Sequence, residues 1–156
     1  MAQSLDVASS KVEFRIKNFG FWVDGTLGEP EIEGEFRAEA VESSRFSVTI
    51  PVKTIDTGNN ARDKHLLKED YFYVEKYPEI KFETTNIRKS KSGYEALGKL
   101  TIRGIEKEMV LPFTVSSNGG SYELVGNLSL DRRTFDVGGN SMVLGDTVEV
   151  TITVVL

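Results

Sequence analysis

The stretch "NNARDKHLLKEDYF" (59–72) concentrates the side chains best suited to chemistry, and it contains the only histidine of the chain. Arg62, Asp63 and His65 fall within four residues of one another. An imidazole beside a carboxylate can move a proton, and a planar guanidinium can hold an anion through two parallel hydrogen bonds. Two functional readings follow: acid–base catalysis by Asp63 and His65, or capture of a phosphate or a quinone carbonyl by Arg62 and His65. A third is structural, with Arg62 and Asp63 bonding backbone or each other while His65 and Leu66 pin a helix to the fold. On a helix Arg62, His65 and Leu66 share a face through spacings of three and four. We favour the structural reading, because neither a nucleophile nor an oxyanion-hole signature such as G-x-S-x-G accompanies the pair.

Metal chemistry fares worse. With one His and no Cys, a zinc site would need three carboxylate ligands. The stretch "DRRTFDVGGN" lacks the spacing of a calcium loop. The absence of cysteine also excludes thiol catalysis, disulfides and iron–sulfur clusters. No catalytic residue, metal or cofactor is expected. A net charge of −5 with scattered Lys and Arg argues against nucleic acid, and "RKSKS" (88–92) reads as a solvated hairpin turn.

The elements that must position these residues are strands. At 156 residues, 39% hydrophobic and 28% charged, the chain has the size and composition of one globular domain. Its apolar runs are far shorter than the ~20 residues a membrane helix needs. Apolar residues alternate along most of it: Val12, Phe14 and Ile16; Phe46, Val48 and Ile50; Ile80 and Phe82; Tyr94 through Ile102; Met109 through Val115; Tyr122 through Leu130; Val148 through Leu156. Turn signals at "KSG", "RGIEK" and "SNGGS" make the strands between 79 and 129 consecutive antiparallel neighbours. Two stretches break the alternation, 56–76 and 131–146. Asn59 or Asn60 can cap a short helix in the first, running through about Leu67. Pro78 then returns the chain to strand.

The expected fold is all-β: a single antiparallel, eight-stranded up-and-down barrel with one short helix, spanning 1–156. Such a barrel is just wide enough to hold its own side chains or one elongated ligand. Gly98 and Gly126 on the inner face either let the barrel curve or leave room for that ligand.

Around this helix, "VKTIDTGNNARDKHLLKEDYFYVEKYPEIKFETTNI" (52–87) resembles the YceI-like, polyisoprenoid-binding family. That family's pattern is matched by Ile55, Thr57, Asn59, Arg62, Asp63, His65, Leu66, Asp70, Phe72, Tyr77, Pro78, Ile80 and Phe82. A second signature matches "GKLTIRGIEKEMVLPF" (98–113), and "GFWVDGTLGEPEIEGEF" and "LGDTVEVTITVVL" are similar to the family's first hairpin and last strand. The family often has a histidine before the first strand, where this chain has Ser9.

The resemblance implies a lipocalin-like barrel that takes an isoprenoid lipid, of the polyprenyl phosphate or prenylquinone type, into an apolar pore without catalysis. Burial at about 0.8 kcal/mol per CH₂ sets an upper bound near 4 kcal/mol for each five-carbon unit, enough for a few units to offset the entropic cost of association. The expected pore wall is Phe14, Ile16, Phe46, Val48, Phe72, Phe82, Leu100, Ile102, Leu111, Phe113 and Leu128. Arg62, Asp63, His65 and Trp22 are the headgroup and mouth candidates. On this reading Leu111→Trp or Phe113→Trp blocks the pore with little loss of folding.

Phe19, Phe21 and Trp22 cannot all point inward from one strand. They form either a hydrophobic lip that touches a membrane transiently or a packed corner of the barrel. Edges left by a half-open barrel would be covered in a homodimer. "MAQSLDVASS" has no signal peptide as written, and a mature exported chain given a new start Met would read the same, so the periplasm is favoured over the cytoplasm. The alternative functions are a structural or interaction barrel filled by its own side chains, and an enzyme built on Asp63 and His65.

Overall fold

In a computed structural model that describes residues 6–155, the period-two segments pair into one curled antiparallel sheet of nine strands. In chain order the elements are β1 (Asp6–Asn18), β2 (Phe21–Leu27), β3 (Glu31–Glu35), β4 (Arg45–Pro51), α1 (Asn60–Leu66), β5 (Glu79–Ser90), β6 (Gly93–Ile102), β7 (Ile105–Asn118), β8 (Ser121–Asp131) and β9 (Leu144–Val155). Their order in the sheet is β2-β1-β9-β8-β7-β6-β5-β4-β3, so the first hairpin joins the last strand and the sheet curls into a half-barrel. The expected antiparallel architecture is present, with nine strands instead of eight. The extra one, β3, reads Glu-Ile-Glu-Gly-Glu, and one apolar side chain is too few to declare an alternation. Expectations that rest on residues 1–5 and on Leu156 fall outside the described residues.

Three hairpins close through two-residue turns with both residues at positive φ: Phe19-Gly20, Arg103-Gly104 and Gly119-Gly120. Mirror-image turns of this kind match the right-handed twist of the flanking strands. All connections except β3–β4, β4–β5 and β8–β9 are short, which sorts the loops into two ends. The turns 19–20 and 103–104, α1 and the segment 132–143 lie at one end; the turns 91–92 and 119–120 lie at the other.

The second end is plugged by aromatic packing. Phe36, fully buried, meets Tyr94 and Tyr122 edge-on, each with ring centres 5.9 Å apart, and Tyr94 stacks on Phe113 at 5.4 Å. A bulge at Thr84/Asn86 in β5 moves Ile87 onto the inner face, where it is fully buried. Thr84 is buried beside the bulge. Its hydroxyl accepts from the Phe46 amide at 2.9 Å and donates to the Phe46 carbonyl at 3.2 Å, replacing the ladder bonds lost there.

The sheet edges β2 and β3 do not pair with each other. The segment after β4 runs alongside β2 instead. Thr26 and Asp56 exchange backbone bonds of 2.9 and 3.0 Å, and the Thr54 hydroxyl bonds the backbone of Gly28 on both sides. Through this contact the chain covers part of its own exposed edge and places α1 over the open end of the barrel.

Candidate functional site

Asn59 caps α1 as the sequence predicts: its side-chain oxygen accepts from the Arg62 amide at 3.0 Å. The helix ends at Leu66, one residue short of the expected limit. Arg62 and Asp63 converge on Thr57. The Asp63 carboxylate accepts from the Thr57 amide at 3.0 and 3.2 Å and from its hydroxyl at 2.5 Å. Arg62 donates through Nε to the Thr57 hydroxyl at 2.7 Å and through Nη2 to its carbonyl at 2.8 Å. His65 is half exposed, bonds Asp70 at 3.1 Å and packs edge-on against Tyr71. Asp63 and His65 therefore have separate partners, and Arg62 and Asp63 act together as a clasp on Thr57.

A direct consequence is testable. Asp63→Ala leaves a half-buried amide and hydroxyl without their charged acceptor and is expected to cost about 2 kcal/mol. His65→Ala removes an exposed bond to Asp70 and a ring contact with Tyr71 and is expected to cost less than about 0.5 kcal/mol. Urea unfolding of both variants checks the contrast, and equal losses would remove the clasp.

Beneath α1 lies a cavity of about 150 Å³. Val12, Phe14 and Ile16 of β1, Val148 and Val150 of β9, Leu130 of β8, Ile102 of β6 and Ile80 of β5 form its walls. Leu66, Tyr71 and Phe72 roof it, and Asn18, Val23 and Leu144 stand at its rim. Among the described residues, the only charged side chains in its lining are Arg62 and Arg132, and no carboxylate lines it. A second, smaller cavity of about 50 Å³ lies toward the plugged end, among Phe46, Val48, Phe82, Leu111, Phe113 and Ile152.

The expected pore wall is thus split. Phe14, Ile16, Phe72 and Ile102 line the larger cavity; Phe46, Val48, Phe82, Leu111 and Phe113 line the smaller. Leu100 and Leu128 line neither. On β6 the small cavity touches Ala96 and the large one Ile102; on β8 the small one touches Leu124 and Gly126 and the large one Leu130. Leu100 and Leu128 therefore form the layer between the two voids. The space at the inner glycines is taken by neighbouring strands. The Glu83 carbonyl and the Phe82 ring lie where a Cβ of Gly98 would be, Leu111 and Ile152 crowd that of Gly126, and the Phe14 ring occupies that of Gly25.

Among the mouth candidates only Arg62 lines the cavity; Asp63 and His65 do not. Trp22 lies on the opposite face of β2 from Val23, with Arg15 4.0 Å and Lys17 5.2 Å from its ring centre.

Arg132 is the site residue that sequence reading missed. It is 5% exposed and opens a short 3₁₀ turn, Arg132–Phe135, after β8. Its guanidinium donates to the carbonyls of Gly145 (2.8 Å), Val137 (2.8 Å), Gly139 (2.5 Å) and Leu144 (3.3 Å), and Asp146 lies 3.5 Å away. The neighbouring Arg133 bonds Asp131, holding that carboxyl down at about 2 through its side-chain bond first and its amide second. The available signal was the run of glycines and Asn after "DRR": an irregular loop exposes carbonyls, and a buried guanidinium can gather them.

Residues 4–156 match the model of the YceI-like domain. A UPF0312 protein of Photorhabdus laumondii is 35% identical over 109 residues, which cover 69% of this chain and only 57% of that protein. A UPF0312 protein of Yersinia pestis is 30% identical over 128 residues, covering 76% of this chain and 67% of its own length. Among solved structures, BcnA of Burkholderia cenocepacia superposes with a TM-score of 0.93 at 25% identity, covering 98% of this chain and 99% of that one. A polyisoprenoid binding domain from Saccharophagus degradans, implicated in plant cell wall breakdown, superposes with a TM-score of 0.74 over 97% of this chain and 95% of its own. At 12% identity that last likeness is one of fold. With a family match across nearly its whole length and a half-barrel of the same build, this chain belongs to the YceI-like family.

Proposed function

We propose that this protein binds an isoprenoid lipid without chemically altering it, carrying or sequestering a polyprenyl phosphate or a prenylquinone. The chain enters the barrel from the end covered by α1. The observation that carries the reading is the larger cavity, lined mainly by apolar side chains and, among the described residues, charged only by two guanidiniums. A hydrocarbon tail asks for no hydrogen bonds, whereas a phosphate or a quinone carbonyl asks for donors. Arg62 uses Nε and Nη2 on Thr57, and these bonds orient its fork beside the cavity. The polyisoprenoid binding domain of Saccharophagus degradans, with the same fold, supports the same class of ligand.

A cavity of about 150 Å³ has the room of a benzene-sized molecule. A longer tail extends past the Leu100–Leu128 layer when those side chains turn aside and the two voids join. The same division favours a second reading, a barrel filled by its own side chains that serves as a structural or interaction module. Mass spectrometry of an organic-solvent extract, from protein purified without detergent, separates them. A stoichiometric prenyl lipid or quinone is expected. An empty extract followed by no saturable binding of added prenylquinones would favour the filled barrel.

A further inference from the structure

The cavity's rim carries an apolar surface that the binding reading does not use. Phe19 is 69% exposed and Phe21 76%, and Met142 and Val143 are exposed beside them. The two loops are tied together, since the Phe19 amide donates to the Val143 carbonyl at 2.8 Å and Asn18 pairs with Leu144. Asn18 and Leu144 themselves line the larger cavity. Phe21 lies on the same face of β2 as the cavity residue Val23, one step beyond the rim. Phe19 occupies the first position of a mirror-image turn at φ 52°, where Asn or Gly is the low-cost choice. Arg103 takes the same position in its own turn but uses it to bond the Asp136 carbonyl at 3.2 Å. Phe19 directs its ring to solvent instead.

We propose that this tip docks on a lipid bilayer, inserting Phe19, Phe21 and Met142 among the acyl chains so that the cavity mouth opens directly onto the membrane. Three features select a bilayer over a protein. The apolar residues protrude from two loop tips, as insertion requires, and do not form a flat face. Four apolar side chains are also far fewer than the roughly 20–30 residues per side of a stable protein interface. Behind them stand Trp22, Arg15 and Lys17, an indole with two cations over its ring. Aromatic and basic side chains at this level belong with headgroups; Arg15 also pairs with Glu149 at 2.8 Å, so Lys17 is the cation that favours anionic lipid. The inference extends the isoprenoid-binding reading, and its test keeps the two apart.

Trp22 is the only tryptophan, so its fluorescence reports on this tip alone. The full chain is titrated with vesicles of equal parts phosphatidylcholine and phosphatidylglycerol, following emission and co-sedimentation, and compared with the double variant Phe19→Asn, Phe21→Ser. Asn suits the left-handed turn, so the variant is expected to fold as well as the parent. The parent is expected to sediment with vesicles and shift its emission to the blue, and the variant to partition at least about tenfold more weakly. Binding of a short, water-soluble prenol is expected to be the same in both. No vesicle binding by the parent, or equal binding by the variant, would overturn the docking inference. So would a dimer in sedimentation velocity that the double variant dissociates, since the tip would then face a second copy. Loss of prenol binding with vesicle binding intact would count against the ligand reading and leave docking standing.

Discussion

Replacing Arg132 by Met is expected to lower the thermal midpoint by about 6–12 °C, the equivalent of roughly 3 kcal/mol in a chain of this size. The methylenes of Met keep much of the apolar volume, so the loss is electrostatic. Carbonyls of Val137, Gly139, Leu144 and Gly145 each lose a charged donor at once. These carbonyls belong to the segment that leads from β8 back into β9 and to the first two residues of β9, and that segment is tied to the cap by the bond from the Gly138 amide to the Asp70 carbonyl. Loosening it removes the support for both the rim and the roof of the cavity. Lys is not expected to rescue, because one ammonium lacks the fork that reaches several carbonyls in different directions. Thermal unfolding followed by circular dichroism measures the shift, and hydrogen exchange is expected to show residues 136–145 losing protection first. A shift below about 2 °C would mean that water replaces the guanidinium without cost.

The second large effect is on binding. Val148→Trp projects an indole from β9 into the larger cavity and is expected to weaken a prenyl ligand at least ~100-fold, a loss of about 2.8 kcal/mol. The void itself accepts part of the ring, which keeps the folding cost near the low end of the ~1–3 kcal/mol typical of overpacking. Leu111→Trp serves as the depth gauge. Its cavity measures only about 50 Å³, and Phe113 beside it is buried and stacked on Tyr94. Little space is open to bulk on this strand, so Leu111→Trp is expected to cost more in folding than Val148→Trp. If the tail passes the Leu100–Leu128 layer, Leu111→Trp weakens long prenyl ligands but not short ones. Isothermal titration calorimetry with ligands of increasing length reads both variants, and undiminished affinity of a well-folded Val148→Trp would remove this cavity as the binding site.

Alternation along β1, β4, β6, β7, β8 and β9 determined the inner face from sequence alone, because strand side chains change sides at every residue and water rejects the apolar set. Asn59 as helix cap and Pro78 as the return to strand were equally local, each acting through its own backbone. What required tertiary structure is everything that depends on a distant partner. Ile87 reached the core only because a bulge shifted β5 by one residue, and β3 exists because β4 offers it a ladder that its own composition does not announce. Where space is left inside the barrel depended on which side chains meet across neighbouring strands: Phe14 over Gly25 and Phe82 over Gly98 fill space that a one-dimensional pattern leaves unassigned. The polar site was rearranged for the same reason. Asp63 turned to Thr57 and His65 to Asp70, while Arg132, unremarkable in sequence, became the buried charge because folding gathered four carbonyls around it. Burial of a charge is decided by the partners that meet it, and only the folded chain brings them together.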